Sequence, residues 1–154
     1  MSDLKVGDKA PVFEGKNQNG ESVGLKDFSG KKLILYFYPK DNTPGCTAES
    51  CNLNDNYGMW LEKGFEVVGV SPDSEKSHQK FIEKYGFKFN LIADTEKEIL
   101  QAYGAWGLKK MYGREYMGVL RKTFVIDENG VIAEIFEKVK TKDHTNQIIT
   151  ALNI

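Results

Sequence analysis

Apolar and polar positions along this chain follow two different periods. Nearly continuous apolar runs, typical of strands covered on both faces, occur at residues 33–38, 65–71 and 89–94. Segments with helical spacing of apolar residues follow them, at residues 44–63, 74–85, 94–103 and 143–154. Gly64 and Gly86 are expected to end the first two helices, and Asp94 to cap the third. This order predicts an α/β protein with parallel neighbouring strands and right-handed crossovers.

Two hairpins and a long loop complete the predicted pattern. Residues 12–25 contain the turn sequence Gln-Asn-Gly, and residues 122–136 contain Asp-Glu-Asn-Gly between two apolar runs. Residues 103–120 are rich in glycine and aromatic residues but have little periodicity, so we expect a loop there. A loop of this length is either part of a functional site or an excursion into solvent.

Composition and charge narrow the possible functions. The chain of 154 residues predicts one domain, and a net charge of −1 gives no reason to expect nucleic acid or an anionic membrane as a partner. The first residues do not resemble a signal peptide, and no apolar run approaches the roughly 20 residues of a membrane span. We therefore expect a cytoplasmic protein. In that reducing compartment its two cysteines are more consistent with catalytic, redox or metal chemistry than with a structural disulfide.

The first cysteine, Cys46, is predicted to lie in the first turn of a helix. Thr43 suits the N-cap position, Pro44 suits the first helical position, and Gly45 permits close approach to the backbone. Free backbone N–H groups and the positive end of the helix dipole lower the pKa of a thiol in such a position. Cys46 is therefore a candidate reactive thiolate, with its sulfur expected near the Thr43 hydroxyl. The alternative is a buried, inert cysteine.

The second cysteine, Cys51, follows five residues later on the same predicted helix. Five residues correspond to a rotation of about 140°, so the two Cα atoms would lie about 8 to 9 Å apart. A disulfide requires less than about 7 Å, so the helix would have to unwind before the two sulfurs could bond. The alternative is that Cys51 is a bystander. The spacing of the cysteines and histidines matches no usual zinc site, and the CxxC motif of dithiol oxidoreductases is absent.

The segment YPKDNTPGCTAESCNLND, residues 38–55, resembles the active-site signature of the peroxiredoxins. The resemblance is to the bacterioferritin comigratory protein, or peroxiredoxin Q, branch, in which a second cysteine follows five residues after the first. It extends over residues 6–39 and 104–132. It implies a thioredoxin-like fold, with a mixed central sheet flanked by helices and an added N-terminal β-hairpin.

The resemblance also implies an activity. The family consists of thiol-dependent peroxidases, which reduce hydrogen peroxide and organic hydroperoxides without a cofactor. Cys46 would be the peroxidatic cysteine, and Cys51 the resolving cysteine that forms a disulfide with it. Thioredoxin or a similar dithiol would reduce this disulfide again, and the branch is often monomeric.

Further residues acquire expected roles from the same resemblance. The family's essential arginine corresponds to Arg121, which would stabilise the thiolate and the charge that develops on the leaving oxygen. Thr43 and the backbone N–H of Cys46 would position the peroxide, and Pro39 would shield the sulfur from water. Without the resemblance, Arg121 at the start of a strand would be expected to form a surface ion pair.

Other polar and aromatic residues are expected to have lesser roles. Glu49, one turn after Cys46, is a candidate partner of Arg121 or a solvated helix residue. Lys40 and Asp41 are expected to be loop residues without a special role. The two histidines, His78 and His144, are expected to be structural or solvated. Three aromatic residues are expected in the core: Tyr57, Trp60 and Phe81. Trp106 has no expected role beyond its place in the loop.

Three other functions compete with the peroxidase. The first is a peroxide-sensing relay protein, which would pass its disulfide to a partner without sustained turnover. The second is a thioredoxin-like binding module with inert thiols. The third, a general dithiol oxidoreductase, is disfavoured by the missing CxxC motif.

Overall fold

A computed structural model describes residues 4–154 of the chain, so the first residues of the segment considered for a signal peptide lie outside it. The strands are β1 Glu14–Lys16, β2 Ser22–Gly24, β3 Lys32–Phe37, β4 Phe65–Ser71, β5 Asn90–Ala93, β6 Trp106–Met111, β7 Arg114–Val119, β8 Lys122–Ile126 and β9 Ile132–Phe136. The helices are α1 Pro44–Asp55, α2 Tyr57–Glu62, α3 Glu75–Tyr85, α4 Glu98–Ala102 and α5 His144–Leu152. A short 3-10 helix spans Leu25–Phe28.

The centre of the molecule is a five-stranded mixed sheet in the order β5-β4-β3-β8-β9. Strands β3, β4 and β5 are parallel, as predicted for the βαβ part, whereas β8 pairs antiparallel with β3. Strands β1 and β2 form the predicted N-terminal hairpin. The predicted α/β class and mixed sheet are therefore confirmed.

Alternate residues of β3 belong to two separate cores, as expected for a strand with both faces covered. Leu33, Leu35 and Phe37 pack with the N-terminal segment and α4 on one face. Ile34 and Tyr36 pack on the other face with residues of α1, α2, α3 and α5. The helix that carries both cysteines therefore lies against the second face.

The helix predicted over residues 44–63 is interrupted at Asn56, so that prediction is wrong in part. The Asn56 side-chain amide donates to the carbonyl of Asn52 at 2.8 Å. In a continuous helix that carbonyl would accept from the backbone N–H of Asn56, which instead contacts Asn54. Competition of this kind between an asparagine side chain and the backbone is a common cause of helix ends. The result is two shorter helices, α1 and α2.

Two further predictions need correction. Residues 103–120 do not form a loop, because β6 and β7 pair antiparallel as a hairpin. Helix α4 begins at Glu98 and not after Asp94, since Lys97 adopts a left-handed conformation with φ 61°. Asp94 still serves this helix, because its carboxylate accepts from the backbone N–H groups of Ile99 and Leu100. No helix within residues 4–154 is long and apolar enough to cross a membrane.

Candidate active site

Cys46 and Arg121 lie at the edge of the sheet where β3 ends and β8 begins. The register pairs Phe37 with Lys122, so Arg121 lies beside the segment that connects β3 to α1. Cys46 is in the first turn of α1 and is 1% exposed. The Arg121 Nη2 group donates to the Cys46 sulfur at 3.2 Å. The structure thus brings together the two residues that the sequence analysis selected for thiolate chemistry.

Glu49 holds the other side of the same guanidinium group. Arg121 Nη1 donates to Glu49 Oε1 at 2.6 Å, and the Glu49 side chain is fully buried. Burial raises the pKa of Glu49 to about 7, although Arg121 acts in the opposite direction. Burial lowers the pKa of Arg121, but the nearby Glu49 and Cys46 outweigh this and raise it overall. Glu49 is therefore a buried partner of Arg121 and not a solvated helix residue.

Gly45 lies beside the Arg121 guanidinium group. A Cβ atom at position 45 would lie 3.4 Å from Arg121 Nη2 and 3.9 Å from the Thr141 side chain. Both distances are those of ordinary van der Waals contact, so the guanidinium group packs closely against this position. Pro39, which follows β3, is half-buried.

Thr43 occupies the predicted N-cap position, but its hydroxyl does not cap the helix. The hydroxyl donates instead to the carbonyl of Lys40 at 2.8 Å, and this bond closes the loop before α1. The Thr43 carbonyl accepts from the backbone N–H of Thr47. The expected cap geometry is thus wrong at the side chain and correct at the backbone.

Cys51 lies on the same helix as Cys46, and both thiols are free. Its side chain is half-buried, and burial, together with the nearby Asp55 carboxylate, raises the pKa of the Cys51 thiol. Because both cysteines lie within one helical segment, helix geometry keeps their Cα atoms about 8 to 9 Å apart. A bond between the two sulfurs requires this segment to change shape.

His144 belongs to the site, which the sequence analysis did not recognise. His144 Nε2 lies 3.7 Å from Glu49 Oε2 and 2.8 Å from the Thr123 hydroxyl. Thr123 follows two residues after Arg121, so the alternation of side chains along a strand places both on the same face. That alternation was the available signal, but nothing in the sequence indicated that the last helix would reach this point. Burial, followed by the nearby Arg121, lowers the pKa of His144 to about 4.

Asp41 was expected to be a loop residue without a special role, but it is buried behind the loop that leads to α1. Its carboxylate accepts from the Tyr38 hydroxyl, the Ser77 hydroxyl and His78 Nδ1. Asp41, Asp73 and His78 offer ligand atoms within 4.8 Å of one another, a grouping that could hold a metal ion. Their hydrogen bonds to one another and to Ser71 already explain the grouping as an anchor for the loop.

The remaining residues singled out in the sequence lie away from this chemistry. Trp60 and Phe81 are core residues as predicted, and Tyr57 is partly buried against the same core. His78 is buried and hydrogen-bonded, so it is structural and not solvated. Trp106 lies in β6, where the Lys97 ammonium group is 5.3 Å from the centre of its ring.

Comparison with known proteins places this geometry in a family. Residues 6–135 match the model of the AhpC/TSA family. Peroxiredoxin Bcp of Bacillus subtilis is 45% identical over 149 residues, which cover 97% of this chain and 95% of that protein. A mutant of Xylella fastidiosa PrxQ has a TM-score of 0.91 at 32% identity, with 99% of this chain and 98% of that chain covered. A mutant of peroxiredoxin Q from Xanthomonas campestris has a TM-score of 0.85 at 35% identity, with 92% and 90% covered.

The chain belongs to the AhpC/TSA family, and its relatives are the thiol peroxidases called peroxiredoxins. The branch expected from residues 38–55 is confirmed, since the similar proteins carry the names peroxiredoxin Bcp and peroxiredoxin Q. The thioredoxin-like fold is confirmed as well. The protein is therefore a peroxidase of the oxidoreductase class that acts through a thiol, with a peroxide as its substrate.

Proposed function

We propose that this protein reduces hydrogen peroxide and organic hydroperoxides through Cys46, and that Cys51 resolves the oxidised product. The observation that carries the proposal is the 3.2 Å contact between Arg121 Nη2 and the Cys46 sulfur at the start of α1. A guanidinium group in this position stabilises a thiolate and can also donate to the oxygen that leaves.

In the first step the Cys46 thiolate attacks one peroxide oxygen and the O–O bond breaks. The leaving oxygen takes up a proton and departs as water or an alcohol, while the sulfur becomes a sulfenic acid. Thr43 supports the orientation of the substrate: its hydroxyl proton is committed to Lys40, so its oxygen remains an acceptor for a peroxide O–H. Gly45 and Pro39 would border the space in which the peroxide binds.

In the second step the Cys51 thiol attacks the sulfenic sulfur, and a disulfide and water form. Thioredoxin or a similar dithiol then reduces the disulfide by exchange. Both cysteines lie on one helix, so resolution needs no second chain, and we expect the monomer to be sufficient. Two free cysteines and a disulfide that must be reduced repeatedly fit the cytoplasm.

The test is a single-turnover reaction of the reduced protein with equimolar hydrogen peroxide, followed by mass spectrometry. The wild type should lose two hydrogens through a Cys46–Cys51 link, whereas Cys51→Ser should retain one oxygen on Cys46. Cys46→Ser is the matched control and should not react. If neither the wild type nor Cys51→Ser reacts, the peroxidase assignment of Cys46 fails. Sustained turnover with a thioredoxin system separates the enzyme from a peroxide-sensing relay.

A further inference from the structure

One buried oxygen atom in the site receives no hydrogen bond from any residue between 4 and 154. Glu49 Oε1 receives Arg121, but Glu49 Oε2 has no hydrogen-bond partner within the described part of the chain. A carboxylate oxygen that is removed from water and left unpaired is costly, typically by about 1–3 kcal/mol or more. The surroundings of this atom therefore decide whether Glu49 carries a charge.

Gln147 determines which nitrogen of His144 carries the hydrogen. The Gln147 amide is oriented by two backbone contacts, because its nitrogen donates to Lys138 O at 2.7 Å and its oxygen accepts from Lys140 N at 2.9 Å. The same oxygen lies 2.9 Å from His144 Nδ1. It can only accept there, so the hydrogen is on Nδ1 and the Nε2 lone pair faces Thr123 and Glu49.

The Thr123 hydroxyl cannot donate to both His144 and Glu49. A hydroxyl group has one proton, and the unprotonated His144 Nε2 at 2.8 Å receives it. The hydroxyl also faces the Glu49 carboxyl, where the same proton would stabilise the charged form. In the hydrogen-bonded arrangement present here His144 Nε2 takes the proton, and Glu49 Oε2, which lies 3.7 Å from that nitrogen, receives no hydrogen bond from Thr123 or His144.

The site then has two acids and one permanent positive charge. The groups that face Glu49 are Cys46 on its own helix, Arg121 before β8, His144 on α5 and Tyr36 on β3. Burial raises the pKa of Tyr36 well above its ordinary value, and its hydroxyl is bonded to Ser50, so it is neutral. Arg121 can fully compensate one anion, either the Cys46 thiolate or the Glu49 carboxylate.

We propose that Thr123, His144 and Gln147 act as positioning residues that withhold a donor from Glu49, so that Glu49 Oε2 holds the proton that Cys46 gives up. The exchange moves one proton from the Cys46 thiol to the Glu49 carboxylate, with no change in net charge and no electron transfer. The protonated Oε2 becomes a donor, and the Thr123 hydroxyl oxygen that faces Glu49 can accept from it, because the proton of that hydroxyl is donated to His144 Nε2. This inference rests on the proposed role of Cys46 as a thiolate.

The direct test is infrared spectroscopy of the reduced protein at pH 7. The proposal expects the carbonyl stretch of a buried carboxylic acid, absent in Glu49→Gln and weaker in Cys46→Ser, where no thiolate competes for Arg121. A wild type that reacts rapidly with peroxide but lacks this band refutes the inference and leaves the peroxidase assignment intact. A wild type that fails to react with peroxide refutes the peroxidase assignment itself.

A pair of variants tests the positioning role through the pH dependence of the peroxide reaction. In His144→Phe the Thr123 hydroxyl is released to donate to Glu49, so the carboxylate is favoured and the rate at pH 7 should fall roughly tenfold. Adding Thr123→Val removes that donor again and should restore both the rate and the infrared band. A double variant that is as slow as His144→Phe, or slower, would show that His144 acts only in folding and packing.

Discussion

Replacing Arg121 by methionine tests whether the buried Glu49 carboxylate takes up a proton when its positively charged partner is removed. Breaking a buried ion pair usually costs about 3–5 kcal/mol, because the remaining charge stays buried without a partner. Glu49 is different, since its pKa is already raised to about 7 from the ordinary 4.5. Without Arg121 its pKa rises further, and the side chain escapes the penalty by taking up a proton.

The size of the effect follows from proton linkage. Glu49 has a raised pKa in the folded protein, so the stability it contributes is fully present below pH 4.5 and is lost as the pH rises to about 7. In Arg121→Met, Glu49 stays protonated, so the variant lacks the free energy that the folded wild type gains when Glu49 ionises. This part of the decrease in the free energy of unfolding should be near zero at pH 5, about 0.4 kcal/mol at pH 7 and about 1.4 kcal/mol at pH 8. The destabilisation by Arg121→Met should therefore grow with pH.

The assay is urea unfolding at four values of pH in a Cys46→Ser background, in which Glu49 is left as the acidic partner of Arg121. Lys122→Met is the matched control, because its partner Glu137 is 71% exposed and that pair should contribute little at any pH. A constant loss of about 3–5 kcal/mol from pH 5 to pH 8 would refute the reasoning, since it would mean that Glu49 stays ionised without Arg121.

Three further predictions concern the site and its support. Arg121→Lys keeps the charge but loses the planar fork that reaches Cys46 and Glu49 together, so the second-order rate with peroxide should fall about 100- to 1,000-fold in stopped-flow measurements; a change below threefold would contradict this. His144 has a pKa lowered to about 4 from 6.5, so stability should be lost as the pH falls through this range, by about 3 kcal/mol at pH 4. Urea unfolding should show this loss in the wild type but not in His144→Phe, and equal acid sensitivity would count against it. In Gly69→Ala the new Cβ would lie 2.8 Å from the Tyr36 ring, so thermal unfolding should reveal a loss of about 1–3 kcal/mol; an unchanged melting temperature would disprove the clash.

The sequence predicted the parts of the fold that depend on strong local periodicity. The strand at residues 33–38 is apolar throughout because it is covered on both faces, and this pattern is visible without a structure. The hairpin β6–β7 was missed for the opposite reason. Its side chains Leu108 and Met117 are more than half exposed, so no core imposes an alternation on the sequence there.

The residues of the site also fall into those that local sequence predicted and those that depend on contacts between distant elements. Cys46, Thr43 and Gly45 are neighbours in the chain, and the preference of their residue types for a helix start placed them correctly. The contact of Glu49 with Arg121 spans 72 positions and became a candidate because both residues were already under consideration. His144 and Asp41 acquire their roles from contacts between distant elements, and single-sequence patterns carry no information on such contacts.

The break at Asn56 separates two helices that would otherwise share one ladder of hydrogen bonds. Helix α2 is held in the core by Trp60, which is fully buried, whereas α1 contacts α5 through Asn52, whose side chain accepts from Thr145 N at 2.7 Å. A cooperative unit of local unfolding that ended at Asn56 would contain both cysteines but not Trp60. Opening that unit would cost the contacts of α1 with α5 and the sheet, and the core under α2 could remain intact through every catalytic cycle.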